Sequence, residues 1–203
     1  MIYLIGASGH AKVILEILEQ QGVAIGCLID SNPNIVGLLD YSVATELPEV
    51  FDMVNDSIII SIGNNFTRKK LAMDNRCSFA KAIHPSSNLS PRCEVREGTV
   101  VMAGVSVNTG VKIGAHVILN TNSSVDHDCV IENFVHVSPN AALAGNIFVG
   151  EGSHIGAGAT IIQGVRIGKW VTIGAGAVII NNVPDYAVVV GSPGRIIKYN
   201  GKI

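Results

Sequence analysis

His127 stands between Asp126 and Asp128 in the stretch "SSVDHDCVIENFVH", residues 123–136, and a second histidine, His136, follows nine positions later. Histidine changes charge near neutral pH, and a neighbouring carboxylate orients the ring and stabilises its charged form. The pair suits general-base work, in which a neutral imidazole takes a proton from an attacking nucleophile. The competing reading is a surface histidine that happens to have acidic neighbours. The other groups that could do chemistry are His10, His84, His116 and His154, and four cysteines, Cys27, Cys77, Cys93 and Cys129. The cysteines form no CxxC pair. With no charged leader ahead of the glycine at position 6, they are expected to be reduced thiols in a cytoplasmic protein.

The element that must position His127 is a repeat. Every sixth residue from Ile83 to Ile179 is aliphatic, without a gap. The residues four further on, from Ser87 to Val183, are nearly all small or β-branched. Period six fits neither a helix nor an alternating strand. It fits a parallel β-helix with one flat face per hexapeptide, three faces closing a coil of 18 residues. The aliphatic residue fills the interior and the small residue fits near a corner. Gly114, Gly150, Gly156, Gly168 and Gly174 are expected to help the backbone turn. The irregular tail after Ile180 is expected to close one end. By this phase His127 points outward between inward Val125 and Cys129, while Cys93 and Cys129 are buried. His136 sits next to a corner, one and a half faces from His127. His154 lies one coil beyond His136, so those two rings stack. A catalytic zinc wants three protein ligands, and His116 and His127 have other phases, so no metal is expected.

The first eighty residues have a different texture. "IYLIGASGHAKVILEIL" reads as strand, glycine turn and helix, with Val13, Ile14, Ile17 and Leu18 on the helix's apolar face. "AIGCLID" is a second strand ending at Asp30, "SIIISIG" a third, and "NNFTRKKLAMDN" a second helix. The fold expected is an α/β N-terminal Rossmann-like βαβ domain over residues 1–80, followed by the β-helix with its cap over 81–203. The turn Gly6-Ala7-Ser8-Gly9-His10 aims backbone N–H groups at whatever lies above a helix N-terminus, a good place for phosphate. The alternative is a glycine turn that only packs helix on strand. Asp30 is placed to bind a ribose or base. A full dinucleotide site needs a second half, for which there is no room, so a nucleotide-linked ligand fits better than NAD.

Composition excludes two partner classes. The net charge is −2, with 15% charged residues and 5% aromatics. There is no basic field for nucleic acid. No apolar run reaches membrane-spanning length, so no membrane insertion is expected.

The hexapeptide pattern resembles the left-handed β-helix acyltransferases. The stretches "GASGHAKVILEIL", "ISIGNN", "NTNSSVDHDCVI" and "HVSPNAALAGN" together resemble the sialic acid O-acetyltransferases and bacterial nucleotide-amino-sugar N-acetyltransferases. The amino-sugar branch is closest, through the His-acid pair, the second histidine and the "AGN" that follows. That resemblance implies a homotrimer whose co-substrate is acetyl-CoA and whose acceptor is a nucleotide-linked amino sugar, UDP-linked first. O-acetylation of sialic acid or a related sugar, and a non-catalytic or zinc-dependent β-helix, remain alternatives. It implies His127 as general base with Asp128 supporting it, where the amino-sugar branch more often has glutamate. It implies a substrate site at Gly6, Ser8, Gly9, His10, Asp30, Asn64 and His136. It places the cofactor against Asn120, Ala144, Gly145, Gly156 and Gly174, where small residues admit a pantetheine arm, with the Gly145 N–H facing the oxyanion. The trimer is expected to bury flat, apolar-rich sides of each β-helix.

Overall fold

The computed structural model describes residues 1–201. The N-terminal sheet has six strands: β1 (Ile2–Ile5), β2 (Ile25–Ile29), β3 (Gly37–Leu38), β4 (Tyr41–Ala44), β5 (Ser57–Ile60) and β6 (Ser78–Phe79). Their order is β3-β4-β2-β1-β5-β6, and every pairing is parallel except β3 with β4. The central strands are continuous apolar runs, as parallel strands covered on both faces must be. Helix α1 (Gly9–Gln20) connects β1 to β2, and α2 (Asn65–Asp74) connects β5 to β6. The apolar face of α1 is Ala11, Ile14, Leu15, Ile17 and Leu18, all fully buried, whereas Val13 is 37% exposed. Ile14, Ile17 and Leu18 of the expected face are thus buried, with Ala11 and Leu15 beside them in place of Val13. The short strands β3, β4 and β6 carry no periodic signal.

From Ala82 the chain winds into a three-sided prism. Two-residue strands recur every six residues, and until the last coil each pairs in parallel with the strand 18 residues on. The first face carries Ile118–Leu119, His136–Val137 and His154–Ile155 among others, the second Ser124–Val125 and Ala142–Leu143, the third Val130–Ile131 and Phe148–Val149. Both expected inward positions are found inside. Val101, Leu119, Val137 and Ile155 stack with Val117, Val135, Ala141 and Ala159 in one continuous core. Ile83, Leu89, Cys93 and Val95 are only partly buried because the first coil has nothing beneath it.

The glycines expected to turn the backbone do something else. The residues with positive φ recur at every sixth position from Gly98 to Gly176, including His116, Asn122, Asp128, Phe134, Asn140, Asn146 and Trp170. Gly114, Gly150, Gly156, Gly168 and Gly174 lie two residues earlier and have no positive φ. They lack a side chain because the next coil passes too close. A Cβ on Gly150 would meet the Gly168 carbonyl carbon at 2.7 Å.

The tail extends the prism rather than lying flat across its end. Residues Ala187–Val190 pair in parallel with Thr172–Ile173, and Arg195–Tyr199 returns antiparallel. The outer sides differ from the expectation of apolar-rich faces. The second face shows Ser106, Ser124, Ala142 and Thr160, and the third Glu94, Lys112, Val130, Phe148 and Arg166. The apolar outer surface is on the first face, where Ala82, Val100 and Ile118 are already covered by Ala11, Ile14, Leu15 and their neighbours in the N-terminal unit. Further along that face the same outward position becomes His136 and then His154.

Candidate active site

His127 lies on the corner between the second and third faces, after Ser124–Val125 and before Val130–Ile131. Asp128 is the left-handed residue of that corner, with φ 60°, a conformation that aspartate tolerates better than most residues. The tight turn brings its short carboxylate to the ring, with His127 Nδ1 2.9 Å from Asp128 Oδ2. Asp126 holds the other side. Its Oδ1 accepts the His127 backbone N–H at 2.7 Å and the Asn108 side-chain amide at 2.6 Å. A carboxylate on Nδ1 selects the tautomer with its proton there and leaves Nε2 as an acceptor. The Asp128 hydrogen bond, then the charge of Asp126, hold the His127 pKa above its ordinary value. Both side chains are exposed, 54% for His127 and 66% for Asp128.

The ring lies over Gly145, at the equivalent corner of the next coil. A Cβ on Gly145 would be 2.6 Å from His127 Nε2. In several coils the backbone N–H at this corner position is taken by a side chain: His127 by Asp126, Ala115 by Asn133, Glu151 by Glu132, Lys169 by Asp185. Ala144, before Gly145, has no such side chain. Among the described residues the Gly145 N–H donates to nothing. An imidazole acceptor and an open backbone donor therefore share one corner. Cys129 faces inward here, its Sγ donating to the Ala144 carbonyl at 3.1 Å, and offers no nucleophile.

His136 belongs to a second group on the first face. Its ring stacks on His154 with centroids 4.8 Å apart. His136 Nε2 pairs with Asn120 Nδ2 at 3.1 Å, and His154 Nε2 with Ser138 Oγ at 2.8 Å. Asn120, expected on the cofactor, thus belongs with His136. Burial first, then His154 and Arg68, push the His136 pKa down to about 3, and burial with Arg68 pushes His10 to about 4. These rings are neutral at pH 7. Both carry a buried nitrogen without a hydrogen-bond partner, His136 Nδ1 and His10 Nε2. The cleft beside His136 and His154 is walled by Asn64, Phe66, Trp170 and Asn200. Asn64 caps α2, its side chain accepting the Thr67 N–H at 2.9 Å. Among the described residues no group of three or more His, Cys, Asp or Glu is arranged to hold a metal.

The glycine turn lies at the C-terminal ends of β1 and β2. Asp30 clamps it, Oδ2 accepting the Ala7 N–H at 2.9 Å and Oδ1 that of Asn32 at 3.0 Å. Gly6 and Gly9 differ in kind. Gly6 has φ +109°, and a Cβ there would strike Ile62 at 2.8 Å, whereas a Cβ on Gly9 meets nothing within 4 Å. The Ser8 hydroxyl makes no cap bond to α1. A cleft of about 490 Å³ beyond the turn is lined by Ile5, Ile29, Asp30, Leu47, Ile62 and Leu71, within the size range of small-molecule sites. Within one chain the two halves diverge. His127 is on the corner opposite the first face, whereas the glycine turn, His10 and His136 are on the first-face side. Gly156 and Gly174 lie on another corner again. Their Cβ positions are closed by the backbone at Ala175 and by the Val190 side chain, so the fold itself requires both to be small.

Two family models match this architecture. Residues 1–74 match the PglD N-terminal domain and residues 146–181 the bacterial transferase hexapeptide (six repeats). The acetyltransferase domain of PglB from Neisseria gonorrhoeae FA1090, solved also in complex with acetyl coenzyme A, is 34% identical, with a TM-score of 0.90 over 97% of this chain and 98% of that one. PerB from Caulobacter crescentus, solved in complex with CoA and GDP-perosamine, is 36% identical, with a TM-score of 0.90 over 97% of each chain. The chain belongs to the bacterial hexapeptide-repeat sugar acetyltransferases. A curated relative, the UDP-N-acetylbacillosamine N-acetyltransferase of Bacillus subtilis strain 168, is 34% identical over 119 residues, 50% of this chain; that match spans about half the relative's length. As an acetyltransferase of this family the chain has the left-handed β-helix expected of it. No helix among the described residues is long and apolar enough to cross a membrane.

In this acetyltransferase Gly145→Ala should separate chemistry from folding. The added methyl meets the end of an exposed imidazole, which can swing away, so the melting temperature should hardly move. The displaced base should cost about tenfold or more in kcat. Steady-state kinetics beside a thermal melt check this, and an unchanged kcat would mean that the ring position over Gly145 is incidental.

Proposed function

We propose that the protein transfers the acetyl group of acetyl-CoA to the amine of a nucleotide-linked amino sugar. The observation that carries this reading is His127, an outward imidazole backed by Asp128 with Nε2 free above the unbonded N–H of Gly145. Neutral His127 removes a proton from the amine as nitrogen attacks the thioester carbonyl, work typically worth ~10²–10⁴ in rate. The Gly145 N–H stabilises the developing oxyanion. As the intermediate collapses, the C–S bond breaks and the imidazolium returns its proton to the thiolate. No acyl-enzyme is needed. The names of the relatives support the acceptor class, since PerB is bound to GDP-perosamine and the Bacillus relative is named for a UDP-sugar. The UDP-linked sugar is the first candidate here.

On this reading the diphosphate lies on the Gly6–His10 turn with Asp30 at the ribose or base. Asn64, Asn120 and His136 border the sugar, and Ala144 and Gly145 the thioester. Because His127 and the turn face away from each other, the working site joins His127 of one copy to the N-terminal unit of another in a homotrimer. Cyclic symmetry repeats that junction three times.

The test is acetyl transfer to a panel of UDP- and GDP-linked 3-amino and 4-amino sugars, with sialic acid as the hydroxyl acceptor. Thiol release from CoA gives the rate, and mass spectrometry with hydroxylamine treatment distinguishes amide from ester. An amide on a nucleotide sugar is expected; turnover confined to the hydroxyl acceptor would contradict the reading. Gly9→Val places a side chain over the turn where the fold leaves room. It should raise the nucleotide-sugar KM by about tenfold or more while the acetyl-CoA KM and the melting temperature hold. Equal loss toward both substrates would make the turn purely structural.

A further inference from the structure

Arg68, on α2, is 1% exposed and heads the fully buried side chains by size. Its Nε donates to the His116 carbonyl at 2.9 Å. Nη1 donates to Ile62 and Gly63 carbonyls at 3.0 and 3.2 Å, and Nη2 to Asn65 Oδ1 and the Phe134 carbonyl at 2.8 and 3.0 Å. Every partner is neutral. Among the described residues no carboxylate lies within 4 Å of it. Burial lowers its pKa only to about 9, so the group stays cationic at neutral pH. An ion taken out of water without a counter-charge is expensive, and it is seldom retained where a neutral donor would do.

The position of this charge is informative. The Ile62–Gly63 carbonyls that Arg68 holds belong to the loop after β5, and Ile62 packs directly on Gly6 of the glycine turn. The guanidinium is therefore one loop behind the turn, in a poorly solvated interior where charge acts over distance. The nearby histidines register it. After burial, Arg68 is the next cause lowering His10 and His116, each to about 4, and it also lowers His154. The turn itself holds no cation. Its own charged group is the Asp30 carboxylate, which opposes an anion, and Lys12 on α1 is exposed to solvent.

We propose that Arg68 is the fixed, buried positive charge that draws the substrate's diphosphate to the glycine turn, acting through space behind the Ile62–Gly63 loop. The proposal rests on the reading of that turn as a diphosphate cradle. A mechanical strut between α2 and the prism corners is the competing role for Arg68, and it predicts a different pattern of losses.

Isothermal titration with UDP, GDP, uridine and guanosine on the full-length protein distinguishes them. The quantity read is the gain in affinity of each diphosphate over its nucleoside. In Arg68→Met that gain should shrink by about tenfold or more, with nucleoside affinity nearly unchanged. Arg68→Lys keeps a charge but loses most of the carbonyl network, and should keep most of the gain despite a lower melting temperature. A gain fully retained in Arg68→Met overturns the proposal, as does parallel weakening of nucleosides and diphosphates. If Arg68→Met does not fold, Arg68→Lys decides: a retained gain supports the charge and a lost gain refutes it. Wild-type protein that binds none of the four ligands would overturn the cradle reading itself, a failure seen before any variant is made.

Discussion

His127→Ala should lose about 10²-fold or more in kcat with little change in either substrate's KM, because a general base acts only as the amine attacks. The ring is exposed and belongs to no core, so the melting temperature should stay close to that of the wild type. The pH dependence sharpens the test. His127 must be neutral to accept a proton, so kcat/KM falls as pH drops through its pKa. The Asp128 hydrogen bond and the Asp126 charge raise that pKa, which places the acidic limb above the range of an isolated histidine, normally near ~6.5. Asp128→Asn retains an acceptor for Nδ1 and suits the left-handed corner, yet removes the charge. It should lower kcat less than His127→Ala and move the acidic limb to lower pH. In His127→Ala that limb should disappear. A variant with near-normal kcat and an intact limb returns His127 to being an ordinary surface residue.

Gly156→Ala should damage folding rather than catalysis. Its Cβ would lie 2.6 Å from both the Ala175 nitrogen and the Ile173 oxygen, and 2.7 Å from the Gly174 carbonyl carbon. These are backbone atoms of the next coil, already committed to the parallel ladder, and cannot swing aside. Overpacking against backbone should cost about 3 kcal/mol or more, a fall of about 10 °C in a chain of this length. Gly158→Asn is the matched control. Gly158 has φ +65° with open space around its Cβ position, and Asn140 and Asn146 occupy the same corner position in other coils, so that change should be almost neutral. Differential scanning calorimetry reads both. Equal melting temperatures for Gly156→Ala and wild type would mean that the coils can part at this corner at little cost.

The solenoid was legible because one physical requirement recurs without interruption. Each inward position from Ile83 to Ile179 must be aliphatic to stack on its equivalents, so phase alone turned His127 outward and stacked His136 on His154. The left-handed corner position was misassigned because Gly114, Gly150 and Gly156 advertise a turn, while the true corner two residues later is filled by His116, Phe134 and Trp170 as well as by Gly, Asn and Asp. Only the clearance to the neighbouring coil, which no local pattern encodes, tells the two kinds of glycine apart. Arg68 was invisible for a related reason. In "FTRKKLAMD" it has cationic neighbours and reads as part of a solvated face, and its burial depends on how α2 docks against two distant corners. The joining of Asn120 to His136 likewise depends on a side chain crossing from one coil to the next. The glycine turn announced itself as strand, turn and helix, but the division between Gly6, which the fold requires, and Gly9, which it does not, needed the position of Ile62.

The most direct test of the account is subunit mixing. His127→Ala lacks the base and Gly9→Val weakens the diphosphate cradle, so with nucleotide sugar well below its KM each alone should run at about a tenth of the wild-type rate or less. If every site takes His127 from one copy and the glycine turn from another, co-expression at equal ratio restores one complete site in each mixed trimer, about a quarter of wild-type activity per chain. Mixed oligomers, verified by capture on two different tags, that remain as inactive as the parents would contradict the shared site.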